Sequence, residues 1–345
     1  MTHWRVTWAN NRPVRLLGAI AAVAVWFAAG ALASDEPPLE LTEKIALKGP
    51  PGRLDHLALD RQRSRLFVAN MANSSLDVVD LETGKLVRQV PDQKGIQGIA
   101  YAPDLDRIFV GNGEGGVCNV FDGGDYKLIK SFELADSDNV RYDARSRRVY
   151  VAHAENVLAV IDAATLEFRG DIKLPGSPEA FQLETGRPRL YLNTPSAGML
   201  VAIDLDQNDV VRRYPLTQAA ANYPLAIDES AHRVFVGCRR PPMLLVLDSE
   251  SGKEVSTVSI PADIDDLFFD SRRKQLYGSC GEGYVVVIRQ IDPDHYKLLT
   301  KIATAKGART SLFDAATGRL FLVVPRQEGE PKDGPEIWKY SSAGW

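Results

Sequence analysis

Residues able to do chemistry recur in this chain at a spacing of forty-odd positions. One series runs Asp55, Gln97, Asp138, Glu179, Tyr223, Asp265 and Arg309, and the next positions are His56, Gly98, Asn139, Ala180, Pro224, Asp266 and Thr310. A third series at the same spacing is Asn70, Asn112, His153, Thr194, Cys238, Cys280 and Val324. Brought to one place, these residues offer three chemistries. Asp55, Asp138, Asn139, Glu179, Asp265 and Asp266 are the oxygen donors that hold a hard divalent cation and let it activate water for hydrolysis. His153, Cys238 and Cys280 would suit a soft metal. Arg309, with Arg239 and the adjacent Arg240, would grip a peptide, a sugar acid or another small anion without any reaction.

The elements that must position them are read from the stretch Arg65 to Val87, RLFVANMANSSLDVVDLETGKLV. It reads as a strand, a polar loop, a second strand ending at Asp80 and a Thr83-Gly84 turn, with the alternation and β-branched content of half-buried strands. The text returns as RIFVGN, RVYVAH, RLYLNT, RVFVGC, QLYGSC and RLFLVV. Its aromatic marker falls at Phe67, Phe109, Tyr150, Tyr191, Phe235, Tyr277 and Phe321, in steps of 42, 41, 41, 44, 42 and 44 residues. Seven all-β units of that length predict a seven-bladed β-propeller of four-stranded antiparallel blades. In such a ring the inner strand starts and the second strand ends on one face, so the three series above are expected around the mouth of the central channel.

These repeats resemble the YVTN-repeat, YncE-like family of bacterial propellers. The resemblance covers roughly residues 40 to 340. It implies an exported seven-bladed propeller and assigns no activity.

Residues 1–33 read as a secretory signal peptide: Arg5, Arg12 and Arg15 precede an apolar run from Leu16 to Ala33 that ends in Ala31-Leu32-Ala33. Cleavage after Ala33 leaves 345 − 33 = 312 residues as one domain, periplasmic or secreted, with blades starting near 55, 97, 138, 179, 223, 265 and 309. Loss of the three arginines takes the formal charge from −4 to −7, and with no basic run neither nucleic acid nor an anionic membrane is an expected partner. Beyond the signal peptide no membrane association is expected, and the chain is expected to be a monomer. The last repeat lacks an outer strand, and Leu39 to Leu47 alternates as one would, so the N-terminal strand is expected to complete the last blade and close the ring.

Two further residue series are structural in this reading. Asp60, Asp143, Glu184, Asp228, Asp270 and Asp314 end the inner strands and have an Arg or Gln five positions on, which fits turn-capping carboxylates repeated around the ring. Cys238 and Cys280 hold equivalent positions in adjacent blades, on the order of 10 Å apart at propeller spacing, and are expected to be free thiols, with Cys118 packed elsewhere. GNGEGG at Gly111 falls between two strands and is a blade loop rather than a nucleotide site. DLDQND at Asp204 lacks the Gly and Glu of a calcium loop. The loop Pro325 to Pro335 lengthens the last blade. The function expected from these residues is a binding protein or interaction scaffold that holds a small ligand or protein partner at the channel mouth, with no cofactor. A metal-assisted, lactonase-like hydrolase using the rim carboxylates and a divalent cation is the alternative.

Overall fold

A computed structural model describes residues 38–329 and 334–342, with residues 1, 3–5, 7 and 9 at the N-terminus. The signal-peptide segment and the centre of the Pro325–Pro335 loop lie outside the described residues, and among those described no helix is long and apolar enough to cross a membrane. The described residues from 38 onward form a ring of seven four-stranded antiparallel sheets, without helix among them apart from two short 3-10 turns. Blade one runs Leu57–Asp60, Arg65–Asn70, Ser75–Asp80 and Lys85–Val90 from the channel outward, and five further blades repeat that order in sequence. Blade seven is composite. Its first three strands are Ser311–Asp314, Arg319–Val324 and Glu336–Ser341, and its outer strand is Glu40–Ala46, paired antiparallel to Glu336–Ser341 with Glu40 opposite Ser341 and Ala46 opposite Glu336.

The second strands of all blades and the third strands of blades one to six are not half-buried, whereas in blade seven's third strand only Ile337 and Tyr340 are buried. Leu66, Phe67, Val68 and Ala69 are all fully buried, as are their counterparts in the other blades, because both faces of a blade pack against neighbouring blades. Seven apolar clusters fill the gaps between blades, each centred on these strands, and all seven aromatic markers lie in them with at most 1% exposure. Exposure to solvent survives chiefly on outer strands such as Glu40–Ala46, where Ile45 alone is fully buried.

The acidic residues that end inner strands cap turns, and so do Asp80, Asp122, Asp162, Asp204 and Asp248 at the ends of third strands. Asp60 Oδ1 accepts from the Gln62 and Arg63 amides at 3.0 and 3.2 Å, and Asp80, Asp122, Asp162, Asp204 and Asp248 each accept from the amides two and three residues on. These are Asx turns, which satisfy backbone donors that a tight turn would leave open. The recurring arginines reach further than their own turn. Arg107 donates to the carbonyls of Ala163 and Ala164, Arg148 to Leu205, Arg189 to the Glu250 carboxylate and Arg233 to Pro293 and Asp294, so each pins its blade to the next.

Candidate functional site

The channel and its mouth differ in chemistry. A channel cavity of about 430 Å³ is lined by inner-strand side chains that are largely apolar, among them Leu57, Ile99, Val140, Leu225, Leu267 and Phe313. At the face where inner strands begin lies a second cavity of about 260 Å³, lined by Arg53, His56, Gln97, Asp138, Asn139, Glu179, Ala180, Tyr223, Arg239, Asp265 and Arg309. Each blade contributes to this mouth from just before or from the start of its inner strand, Gln97, Tyr223 and Asp265 at bulges within it, and blade five adds Arg239 from its second strand.

One backbone pattern sets the geometry. The amides of Asp55, Asp138 and Glu179 donate to the carbonyls of Ala69, Ala152 and Asn193, at 2.8 to 3.0 Å, and the carbonyls of His56, Asn139 and Ala180 accept from the same three residues. Equivalent side chains are thereby held at equivalent heights around the axis. Gly98 serves the arrangement without touching a ligand: a Cβ there would stand 2.0 Å from the Asp138 carbonyl oxygen, so only glycine lets blades two and three approach at this point.

Arg239, Arg309, Arg53 and His56 at the mouth are answered by carboxylates, whereas Arg141, in the channel below, donates to the Val140 carbonyl and feels Asp266 and Asp138 without a direct ion pair to either. Arg239 donates to Asp265 Oδ1, lies 3.4 Å from Asp263, gives its Nε to the Ile264 carbonyl at 2.8 Å and stacks 3.8 Å over the Tyr223 ring. Arg309 spans the same two aspartates, at 2.9 Å from each. Arg53, absent from the sequence-derived set, sits 2.7 Å from Asp55, and His56 lies between Asp55 at 3.8 Å and Asp266 at 3.7 Å. Asp266 also accepts from the Ser311 amide at 2.7 Å.

Burial dominates the electrostatics. Asp55 is fully buried, its Oδ2 meets Arg53 at 2.7 Å while its Oδ1 has no hydrogen-bond partner among the described residues, and its carboxyl is pushed up to about 7 by burial, against the pull of His56 and Arg53. For His56, burial acts downward, and the neighbouring carboxylates of Asp266 and Asp55 outweigh it and raise the imidazole to about 9. Glu179 is raised to about 8 by burial, with Asp138 and Asp265 adding to it and Arg239 and His56 opposing. Asp138 is raised for the same first reason. No ion pair or side-chain hydrogen bond to a described residue serves the carboxylates of Asp138 and Glu179. Asn139 is 3% exposed, and its Oδ1 is buried without a partner.

Other residues of the sequence-derived set lie elsewhere, and their placement is corrected here. Asn70 and Asn112 are buried between blades: Asn70 donates to Asp77 at 2.9 Å and to the Lys48 carbonyl at 3.0 Å, and Asn112 donates to Gln93 at 3.1 Å. The His153 ring bonds Asp171 on its own blade's outer strand at 2.9 Å. Cys238 and Cys280 belong to different inter-blade cores, Cys118 to a third, and burial pushes all three thiols up to about 12. The soft-metal trio therefore does not assemble. Successive side chains of a strand alternate sides, so Cys238 packs into an inter-blade core while Arg239, the next residue of the strand Arg233–Arg240, lines the mouth. Arg240 is exposed at the end of its strand and does not line the cavity. The hydrolase reading calls for several hard ligands around one point, and among the described residues no three His, Cys, Asp or Glu side chains group so as to hold a metal ion.

No family model matches the chain. Two curated proteins are similar to it: the uncharacterized protein YncE of Salmonella typhimurium, 25% identical over 192 residues, and that of Salmonella typhi, 24% identical over 192 residues. Each match covers 54% of this chain and 53% of the relative, so the chain spans about half the length of the curated relatives it matches. Among solved structures it resembles hydrazine synthase of Kuenenia stuttgartiensis with a TM-score of 0.69 at 17% identity, covering 80% of this chain and 94% of that one. The structure of U3-55K superposes with a TM-score of 0.73 at 10% identity, covering 87% and 98%. The WD40 repeats of RRP9 give 0.73 at 10%, covering 88% and 97%. At such identities the likeness is one of fold alone.

Proposed function

From the premise that the chain is a YncE-like seven-bladed β-propeller, we propose that it is an exported binding protein holding a small ligand in the polar cavity at its channel mouth. One observation carries this reading. The mouth keeps the half-buried carboxylates of Asp138 and Glu179 without an ion pair or side-chain hydrogen bond among the described residues, and the buried Asn139 amide oxygen without a partner, next to a channel lined mostly by apolar side chains. Each unpartnered buried polar group costs about 1–3 kcal/mol, and apolar residues of similar size would remove that cost. A ligand that supplies the missing partners accounts for their retention.

A thermal-shift screen of the purified protein against small anions, cations and neutral sugars tests this. Ala180 lines the cavity, and Ala180→Phe would fill it. At least one compound is expected to raise the wild-type melting temperature by several degrees at saturating concentration and to leave Ala180→Phe unmoved, since a ligand at a hundred times its Kd adds about 2.7 kcal/mol to stability. A screen in which no compound separates the two proteins would remove the proposal.

A further inference from the structure

We propose that the ligand of the mouth is a small organic cation bearing N–H donors, an ammonium or guanidinium on a short stem, received by Asp138, Glu179 and the Asn139 side-chain oxygen. This rests on the binding reading above and specifies its chemistry. Arg239 and Arg309 are bracketed by Asp263 and Asp265, Arg53 by Asp55, and His56 by Asp55 and Asp266. An incoming anion would have to compete with those carboxylates for donors already in use. Arg141 in the channel below feels Asp266 and Asp138 without a direct ion pair to either, and it donates to the Val140 carbonyl. An incoming cation meets two carboxylates, Asp138 and Glu179, that no described side chain pairs or hydrogen-bonds directly, and it replaces lost hydration with charge-assisted hydrogen bonds.

Asn139 is an independent observation. It is 3% exposed, it lines the same cavity, and its Oδ1 is an acceptor with no donor among the described residues. Three acceptors, two charged and one neutral, describe a site for N–H groups. A bare metal ion fits less well, because no three of the usual ligand side chains converge among the described residues. The cavity of about 260 Å³ is also several times the roughly 30 Å³ that a water molecule occupies, which leaves room for a head group and its stem.

The cation also displaces a proton. Glu179 faces Asp138, Asp265, Arg239 and His56, and burial together with the two aspartates keeps it largely protonated at neutral pH. Binding an ammonium or guanidinium favours the ionised carboxylate and releases that proton, so affinity rises between about pH 6 and pH 8.5.

Isothermal titration of the full mature protein with putrescine and agmatine, with Nα-acetyl-arginine amide, and with succinate as a dianion of similar length, decides the matter. Binding is expected for the cations and not for succinate. Glu179→Gln and Asp138→Asn should each weaken it at least tenfold, with circular dichroism and cooperative melting showing both variants folded, and Ala180→Phe should abolish it. Binding of the two free amines alone identifies a free small molecule as the source of the cation. Binding of the blocked arginine alone identifies a side chain presented by a peptide, and either result supports the inference. If the mouth instead takes succinate or a neutral compound in a manner sensitive to Ala180→Phe, the cationic ligand is overturned while the binding reading stands. If no probe separates wild type from Ala180→Phe, both fall.

Discussion

Glu179 and Asp55 place the cost of the site in titration. Their carboxyls ordinarily titrate at 4.5 and 3.8 and stand at about 8 and about 7 in the folded chain, so between those limits the folded state holds more protons than the unfolded one. Stability conferred by such groups is complete below the lower value and is lost as pH rises through the upper one. His56 acts in the same sense, raised from 6.5 to about 9: its contribution is full below 6.5 and gone above 9. The melting temperature is therefore expected to fall steadily from pH 5 to pH 9, and Glu179→Gln, which deletes one of the titrations, should flatten the decline. A melting temperature that climbs over this window would contradict the assignment. At this scale the sequence is partly legible. Counting back from the acidic turn residue places Asp138, Glu179, Tyr223, Asp265 and Arg309 around one mouth, because inner strands share a register. The same count cannot say which arginines are already paired. Pairing depends on where Asp263 reaches from its loop, and no repeat marks that position.

Among the strands, the closing one shows most directly how packing supports the ring. Ile45 is the fully buried residue of Glu40–Ala46 and packs with Leu66, Val79, Phe321 and Ile337 in the core between blades one and seven. Its neighbours hold the strand from outside: Lys44 lies 3.9 Å over the Trp338 ring, and Glu43 pairs with Lys339. Ile45→Ala is expected to cost about 2–5 kcal/mol in chemical denaturation, as buried large-to-small changes do, whereas Leu41→Ala, at a position 39% exposed, should cost far less. Equal effects would mean that the closing strand is not held by its inner face. The element type was legible in each repeat, but its burial was not. Leu66-Phe67-Val68-Ala69 reads as an amphipathic strand only until both of its faces are covered. The turns hid another feature: Ser64, Asp106, Arg147, His232 and Lys274 all take positive φ immediately before the second strand, with only Gly318 of that set announcing it by residue type.

Across the whole molecule the period did the work. Steps of 41 to 44 residues gave seven blades, and the missing outer strand of the last repeat pointed to the N-terminal segment as its source. Less visible was the belt of arginines that joins blade to blade, because their partners are carbonyls and carboxylates 56 to 61 residues further along the chain. The proposed export, read from the basic and apolar segment before Ser34, makes a definite prediction. N-terminal sequencing of protein recovered from the periplasm or medium should begin at Ser34, and a chain that retains residues 1–33 in the membrane fraction would refute export by cleavage.

The closing pair has a mechanical meaning. Glu40 lies opposite Ser341, and Ala46 lies opposite Glu336. The outward end of the first strand and the outward end of the last therefore meet at one edge of one blade. A pull applied between the two ends would load the rungs of that ladder one after another, starting at Glu40 and Ser341, rather than all together in shear. Under tension the ring would thus open like a zip at its own seam, while the other six blades stayed folded behind it.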